Sequence, residues 1–93
     1  MRPYLIILGA TFPMRKPVQD FLSQLEGVGY WYACLPRCIF ATSSLTASEL
    51  AERLDERFPG SRFLVIEAHA NRQGRLPKQA WHLLRNPDNP KLP

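Results

Sequence analysis

An unbroken apolar run near the start of the sequence, YLIILGA at residues 4–10, most constrains how this chain can fold. No polar residue alternates with the apolar ones, which is typical of a strand buried on both faces of its sheet. Such a strand needs a packed layer on each side. The run is far too short to span a bilayer, for which about 20 apolar residues are required. We therefore expect a cytoplasmic protein with no membrane partner.

Two helix patterns follow at intervals along the chain. In the first, Val18, Phe21, Leu22 and Leu25 recur at the spacing of one helical stripe, with Pro17 suited to the first turn. The second begins with TASE at residues 46–49, a capping box in which a threonine and a glutamate bind each other's backbone amides. Both patterns predict amphipathic helices that pack on a sheet.

Three more strand patterns complete the order β-α-β-β-α-β. Residues 30–35 and 38–42 predict a hairpin around Pro36-Arg37, and residues 62–68 predict a buried final strand. This order predicts an α+β fold of the ferredoxin-like kind, a four-stranded antiparallel sheet with both helices on one face. We expect residues 1–70 to form this core.

The rest of the chain is predicted to be an appendage, with residues 71–86 forming a short helix or an extra strand and residues 87–93 a frayed tail. Pro77, Ala80, Trp81 and Leu84 fall on one side of such a helix. One face of the sheet is left open by the predicted core, so this apolar side covers either that face or a partner's. Because a chain of 93 residues has a modest core, oligomerisation would be a natural source of extra burial, and Leu76, Trp81 and Leu84 are the residues expected at a dimer interface.

The positive charge is concentrated at one end of the sequence. Residues 1–67 hold seven basic and seven acidic groups, whereas residues 68–93, here called the basic segment, hold five basic groups and one acidic group. The whole net charge of +4 therefore lies in the basic segment. Such asymmetry indicates an acidic partner, with DNA or RNA first. The predicted nucleic-acid-binding residues are Arg72, Arg75, Lys78, Arg85 and Lys16.

Several stretches resemble the small bacterial SinR-like proteins, relatives of the CRISPR-associated endoribonuclease-like integration subunit and of virulence-associated protein D. The matching residues are Lys16-Pro17, Gln19-Asp20-Phe21, Tyr30-Trp31-Tyr32, residues 44–50 and 62–67, and Gly74, Leu76-Pro77-Lys78 and Ala80-Trp81. The resemblance covers nearly the whole chain up to about Leu84. It implies a ferredoxin-like homodimer whose tails complete or extend the partner's sheet.

The resemblance also implies a nuclease site, from which this sequence departs. Some relatives are metal-dependent nucleases in which an aspartate ends the first strand of each protomer and holds magnesium; the matching place here is Leu8-Gly9-Ala10, with Gly9 where the carboxylate belongs. Magnesium prefers hard oxygen ligands such as carboxylates. Nor does a phosphate-binding loop begin at Gly9, because no second glycine followed by a lysine stands at the spacing that this motif requires. We therefore expect a degenerate nuclease site, with no cofactor and no catalytic or metal-binding residue.

Four other features have a structural explanation as well as a functional one, and the structural one is favoured. These are Glu67 with His69 as an acid–base or metal pair, Ser43-Ser44 as a nucleophile, Tyr30-Trp31-Tyr32 as a base-stacking platform, and Cys34 with Cys38 as a reactive thiol pair. Glu67 and His69 lack the third ligand that a metal site would need. The serines precede a helix cap, where hydroxyl groups are common, and the aromatic stretch lacks an RNA-recognition signature. The C-x-x-x-C spacing differs from that of redox motifs.

The leading hypothesis is a non-catalytic, homodimeric nucleic-acid-binding protein. The first alternative is a magnesium-dependent ribonuclease whose acid comes from Asp20 or Glu67. The second is a protein-interaction module of the antitoxin or immunity type, whose basic segment meets an acidic protein. These hypotheses differ in whether the chain binds polynucleotides and whether magnesium leads to cleavage.

Overall fold

The computed structural model of the protein describes residues 1–10, 12 and 14–92. It is an α+β structure with four strands and three helices in these residues. The elements are β1 (Arg2–Leu8), α1 (Lys16–Gln24), β2 (Val28–Leu35), β3 (Cys38–Ser43), α2 (Ala47–Arg57), β4 (Phe63–Glu67) and α3 (Lys78–Arg85). The predicted order β-α-β-β-α-β is confirmed, and the appendage is a helix. No helix in this part of the chain is long and apolar enough to cross a membrane.

The four strands form one antiparallel sheet in the order β2-β3-β1-β4. In β1, Tyr4 lies between Ala41 of β3 and Glu67 of β4. The β2–β3 pairing shifts register twice, between Val28 and Tyr30 and again before Leu35. Strands β2 and β4 are therefore the edges of the sheet, and β1 and β3 occupy its centre.

One face of the sheet packs against α1 and α2. Buried side chains from β1 and β3, such as Ile6 and Ile39, meet Val18 and Leu22 of α1 and Leu54 of α2. The apolar stripe predicted for α1 thus faces the sheet. Phe58 follows α2 and closes the layer with edge-to-face contacts, its ring centroid 5.9 Å from that of Phe21.

The capping box predicted for α2 is present. The side chain of Thr46 accepts a hydrogen bond from the amide of Glu49 at 3.1 Å, and the Glu49 carboxylate accepts one from the amide of Thr46 at 3.0 Å. These bonds satisfy amides that a helix start otherwise leaves unpaired. Helix α3 differs, because its N-cap is Pro77, which forms no side-chain cap.

The opposite face of the sheet packs against α3 of the same chain. Ala80, Leu83 and Leu84 are buried against Phe40 of β3. Leu83 was missing from the predicted apolar side, and Pro77, which was included there, is exposed. The difference arises because the helix begins at Lys78, and its stripe is set by residues 80, 83 and 84 at helical spacing.

The chain after α3 folds back instead of ending in the frayed tail expected from residue 87. Gln79 of α3 donates a hydrogen bond to the carbonyl of Pro90 at 2.6 Å and accepts one from the amide of Leu92 at 3.0 Å. Asp88 binds the N-terminal ammonium group at 2.8 Å. Hydrogen bonds to the side chain of Gln79 thus hold the last described residues against α3, although these residues have no apolar core to join.

Helix α3 covers only part of its face. Strand β1 is buried on the α1/α2 side, but Ile7 on the α3 side is 40% exposed, so the expectation of burial on both faces holds for only part of the strand. Leu64 and Ile66 of β4, which pair with Ile7 and Leu5, are 52% and 46% exposed. Together Ile7, Leu64 and Ile66 form an uncovered surface, here called the β1–β4 apolar patch.

Candidate nucleic-acid interface

The connection between β4 and α3 carries the first two cations of the basic segment. Its start is fixed to the sheet, because the amide of Ala68 donates to the carbonyl of Pro3 at 2.9 Å. The Arg72 guanidinium then donates to the carbonyl of His69 at 2.6 Å, while its side chain stays half-buried. This bond holds the arginine in place, whereas Arg75, three residues later, is exposed.

A small pocket opens between this connection and α3. It has a volume of about 290 Å³ and is lined by Ala70, Arg72, Gln73, Trp81 and Arg85. Trp81 and Arg85 lie four residues apart on α3, so one helix face presents both side chains to the pocket. Two guanidinium groups, one amide and one indole ring therefore surround a single cavity.

The acidic groups of the chain do not neutralise this region. No acidic residue lines the pocket. Asp88, the only acid in the basic segment, is paired with the N-terminal ammonium group. Within the residues that the structure describes, Arg75, Lys78 and Arg85 form no ion pair. The charge asymmetry of the sequence thus becomes a surface of uncompensated positive charge around α3.

The five predicted nucleic-acid-binding residues fall in three places. Arg72 and Arg85 meet at the pocket. Arg75, which precedes α3, and Lys78, its first residue, are exposed on the same segment but do not line the pocket. Lys16 lies on α1, which packs on the other face of the sheet, and it is paired with Asp20. The structure therefore brings four of the five to one side of the molecule and leaves Lys16 apart.

The residues predicted for a dimer interface lie against the chain's own sheet. Leu84 is 5% exposed within the α3 cluster, and Leu76 and Trp81 pack around that cluster while remaining half-buried. Trp81 has a second role that sequence reasoning missed, because its remaining surface lines the pocket. Its spacing of four residues from Arg85 was the pattern that could have indicated this.

The end of β1, where the family resemblance places a metal-binding aspartate, is filled by backbone contacts. The amide of Gly9 donates to the carbonyl of Arg62 at 2.8 Å. A Cβ atom at position 9 would lie only 2.8 Å from that same oxygen. Arg37, at the β2–β3 turn, donates to the carbonyls of Gly9 at 3.0 Å and Phe12 at 2.5 Å. A carboxylate side chain at position 9 would require these segments to move apart.

The other acidic and histidine candidates are dispersed. Asp20 is bound to Lys16, and Glu67 is a half-buried neighbour of Tyr4 across the β1–β4 pair, followed by the exposed His69. No group of three histidine, cysteine or carboxylate side chains suited to a metal ion occurs among residues 1–10, 12 and 14–92.

The two cysteines are unpaired thiols at the β2–β3 turn. Burial raises the pKa of Cys38, and the neighbouring Cys34 raises it further. Burial also raises the pKa of Cys34, against a smaller opposing effect of Arg15. A raised pKa lowers the thiolate fraction and hence the nucleophilicity at neutral pH. Both thiols have the environment of small packed residues.

The aromatic stretch of β2 alternates across the sheet as predicted. Tyr30 and Tyr32 pack with the α3 cluster, and Trp31 packs with the α1/α2 core. The Trp31 indole donates to the hydroxyl of Ser23 at 2.7 Å, and the Lys91 ammonium lies 5.4 Å from the Tyr30 ring centre. Because α3 and the residues after it occupy the face on which bases would stack, these contacts support a packing role for the tyrosines.

Comparison with known proteins adds no family assignment. No protein-family model matches the sequence, and neither curated proteins nor solved structures give a match.

Proposed function

We propose that this chain is a non-catalytic, homodimeric nucleic-acid-binding protein whose sheet has the ferredoxin-like arrangement. The observation that carries the proposal is the pocket at α3, where Arg72, Arg85 and Trp81 from the segment that holds all the excess positive charge line one cavity. Arginine, with its planar fork of donors, is well suited to phosphate oxygens.

The sheet order supports the ferredoxin-like part of the proposal. Two interleaved β-α-β units place β1 and β3 at the centre and both crossover helices on one face, and the order β2-β3-β1-β4 with α1 and α2 on the same side agrees with this. The same agreement supports a relationship to the SinR-like proteins. That relationship remains a proposal based on short motifs.

Binding through the basic segment would depend on charge and not on base sequence. Lysine and arginine contacts to phosphates release condensed counterions, so affinity falls steeply as salt rises. Such contacts serve DNA and RNA alike. Arg75 and Lys78, exposed on the same segment, would extend the phosphate contacts beyond the pocket.

The non-catalytic part of the proposal depends on Gly9. Its backbone packs so closely against Arg62 that the position a metal-binding carboxylate would need is taken by main-chain atoms. The alternative ribonuclease would have to use Asp20, which is paired with Lys16, or Glu67, which lies on a different element from Asp20. We therefore assign magnesium no role in binding.

The homodimer has a different supporting surface from the one predicted. Since Leu84 is already buried against its own sheet, the β1–β4 apolar patch is the surface that we assign to the dimer interface. Strand β4 is also a sheet edge, with backbone groups free to pair with another strand. Sedimentation velocity should show a dimer that Ile66→Lys dissociates, while Glu56→Lys, a charge change at an exposed position of α2, leaves it intact.

Fluorescence anisotropy of labelled RNA and duplex DNA, measured across a salt series with and without magnesium, tests the binding itself. We expect affinity to fall linearly with salt on a logarithmic plot, and Arg75→Ala or Lys78→Ala to reduce the slope by about one each. Arg53→Ala on α2, which removes the same charge from the opposite face, serves as the matched control. Flat anisotropy at every salt concentration would refute nucleic-acid binding and favour the protein-interaction alternative. Magnesium-dependent loss of full-length label would favour the ribonuclease.

A further inference from the structure

We infer that the pocket at α3 takes an unpaired nucleotide, with its base stacked on Trp81 and its phosphate held between Arg72 and Arg85, so that the protein prefers single-stranded nucleic acid. This inference rests on the proposed function and adds the class of ligand. It follows from the chemistry and the size of the pocket.

The chemistry of the lining fits a nucleotide better than a bare phosphate. Phosphate needs only the guanidinium groups, whereas the pocket also contains the half-buried indole of Trp81 and the exposed amide of Gln73. Aromatic rings stack with any base, since every base has a π-face, and amide groups bond to base edges. Both features would be unused if only the backbone of a duplex were bound.

Arg72 is prepared for this role before any ligand arrives. Its bond to the His69 carbonyl fixes one guanidinium nitrogen and leaves the others available. The guanidinium group of Arg85, one helical turn from Trp81, forms no hydrogen bond or ion pair within the described residues and can move toward a bound group. One fixed and one adaptable arginine flanking an aromatic ring suit a phosphate attached to a stacked base.

The size of the pocket suits a single nucleotide unit of a longer strand. Its volume of about 290 Å³ lies at the lower end of the roughly 300–1,000 Å³ typical of small-molecule sites. That is room for a single nucleotide unit. Bases within a duplex have both faces covered by neighbours, so stacking on Trp81 requires a base that is unpaired and turned out of the strand.

The test compares a single-stranded 12-mer of uridylate with a duplex RNA of the same length, both fluorescein-labelled. Trp81→Leu keeps an apolar side chain against the sheet but removes the stacking surface, whereas Trp81→Phe retains both. We expect Trp81→Leu to weaken single-strand binding roughly 5-fold to 150-fold and to leave duplex binding within about twofold. Trp81→Phe should restore most of the single-strand affinity. Thermal unfolding of each variant identifies any that fails to fold.

A direct readout comes from tryptophan emission in the Trp31→Phe background, where Trp81 is the only indole. Stacking of uridylate should quench this emission, and duplex should not. Equal affinity for the two probes, with unquenched emission and no effect of Trp81→Leu, would overturn the inference while leaving phosphate binding by the basic segment intact. Absence of binding to either probe would refute the proposed function itself.

Discussion

The two faces of the sheet are covered in different ways. On one face, α1 and α2 meet the strands through a continuous buried layer that includes Ile6, Leu22 and Leu54. On the other, the single helix α3 buries a smaller cluster around Phe40 and leaves the β1–β4 apolar patch at one end and the arginine pocket at the other. The closed face holds the larger buried cluster, and the partly covered face adds a smaller one and holds the surfaces available for binding.

The largest expected effects are losses of unfolding free energy when a buried leucine is shortened on either face of the sheet. Leu54 of α2 and Leu83 of α3 are each fully buried. We expect Leu54→Ala and Leu83→Ala to lower the free energy of unfolding by about 2–5 kcal/mol each, measured by urea denaturation. Leu64→Ala, on the exposed β1–β4 apolar patch, should change it by less than about 0.5 kcal/mol at protein concentrations where the proposed dimer is dissociated.

The comparison of the two faces would fail if the destabilisation caused by Leu83→Ala depended on protein concentration. If α3 packed on a partner's sheet instead of its own, the cost of Leu83→Ala would vary with dilution, since the stability of such a dimer is linked to association. The cost of Leu54→Ala would not. Equal costs at micromolar and much lower concentrations would agree with α3 packing on its own chain.

The end of β1 and the basic segment also differ in how tightly their glycines are packed. Gly9 is pressed against the Arg62 backbone, while a side chain at Gly74 in the basic segment would meet no atom within 4 Å. We expect Gly9→Asp to cost about 1–3 kcal/mol of unfolding free energy through overpacking, and Gly74→Asp to cost much less. Gly9→Asp should also show no magnesium-dependent cleavage of labelled RNA. A stable Gly9→Asp variant that cleaves RNA would contradict our interpretation of this strand end.

Much of the closed face could be predicted from the sequence, because its patterns are local. The stripe through Val18 and Leu22 and the reciprocal bonds of Thr46 and Glu49 depend on spacings of three and four residues. The candidate site depends on tertiary packing, because the position of α3 on the sheet brings Trp81 and Arg72 to the same pocket. Sequence reasoning identified both arginines from charge alone and assigned Trp81 to a dimer interface.

The folding back of the last residues was also beyond the sequence patterns. A segment rich in proline and asparagine with no apolar stripe predicts a loose end, yet Gln79 and His82 of α3 bind the carbonyls of Pro90 and Asn89. These polar contacts join residues seven and eleven positions apart, and no repeating sequence pattern predicts them. The hydrogen bonds between these side chains and the backbone become apparent only when the position of the helix is known.

The starts of α2 and α3 offer a smaller test of the same contrast. Helix α2 has its capping box, whereas α3 begins at Pro77 without a side-chain cap. Amide hydrogen exchange should therefore be slower in the first turn of α2 than in that of α3. Thr46→Ala should reduce this difference and lower the unfolding free energy by about 1 kcal/mol. Ser48→Ala, an exposed change within the first turn of α2, should do neither.

The smallest effect is a pH dependence that arises at the α2 cap. Hydrogen bonds from the backbone and then the side chain of Thr46 lower the pKa of Glu49 below its usual 4.5. A carboxyl group whose pKa is lower in the folded chain contributes stability above its unfolded pKa, and that contribution disappears as the pH falls through the folded pKa. Urea denaturation between pH 2 and 7 should thus show a shallower acid loss of stability in Glu49→Gln than in the parent chain. Because α3 has no acidic residue in its first turn, Lys78→Gln should leave the profile between pH 2 and 5 unchanged, and a change there as large as that of Glu49→Gln would contradict the assignment of this effect to the cap.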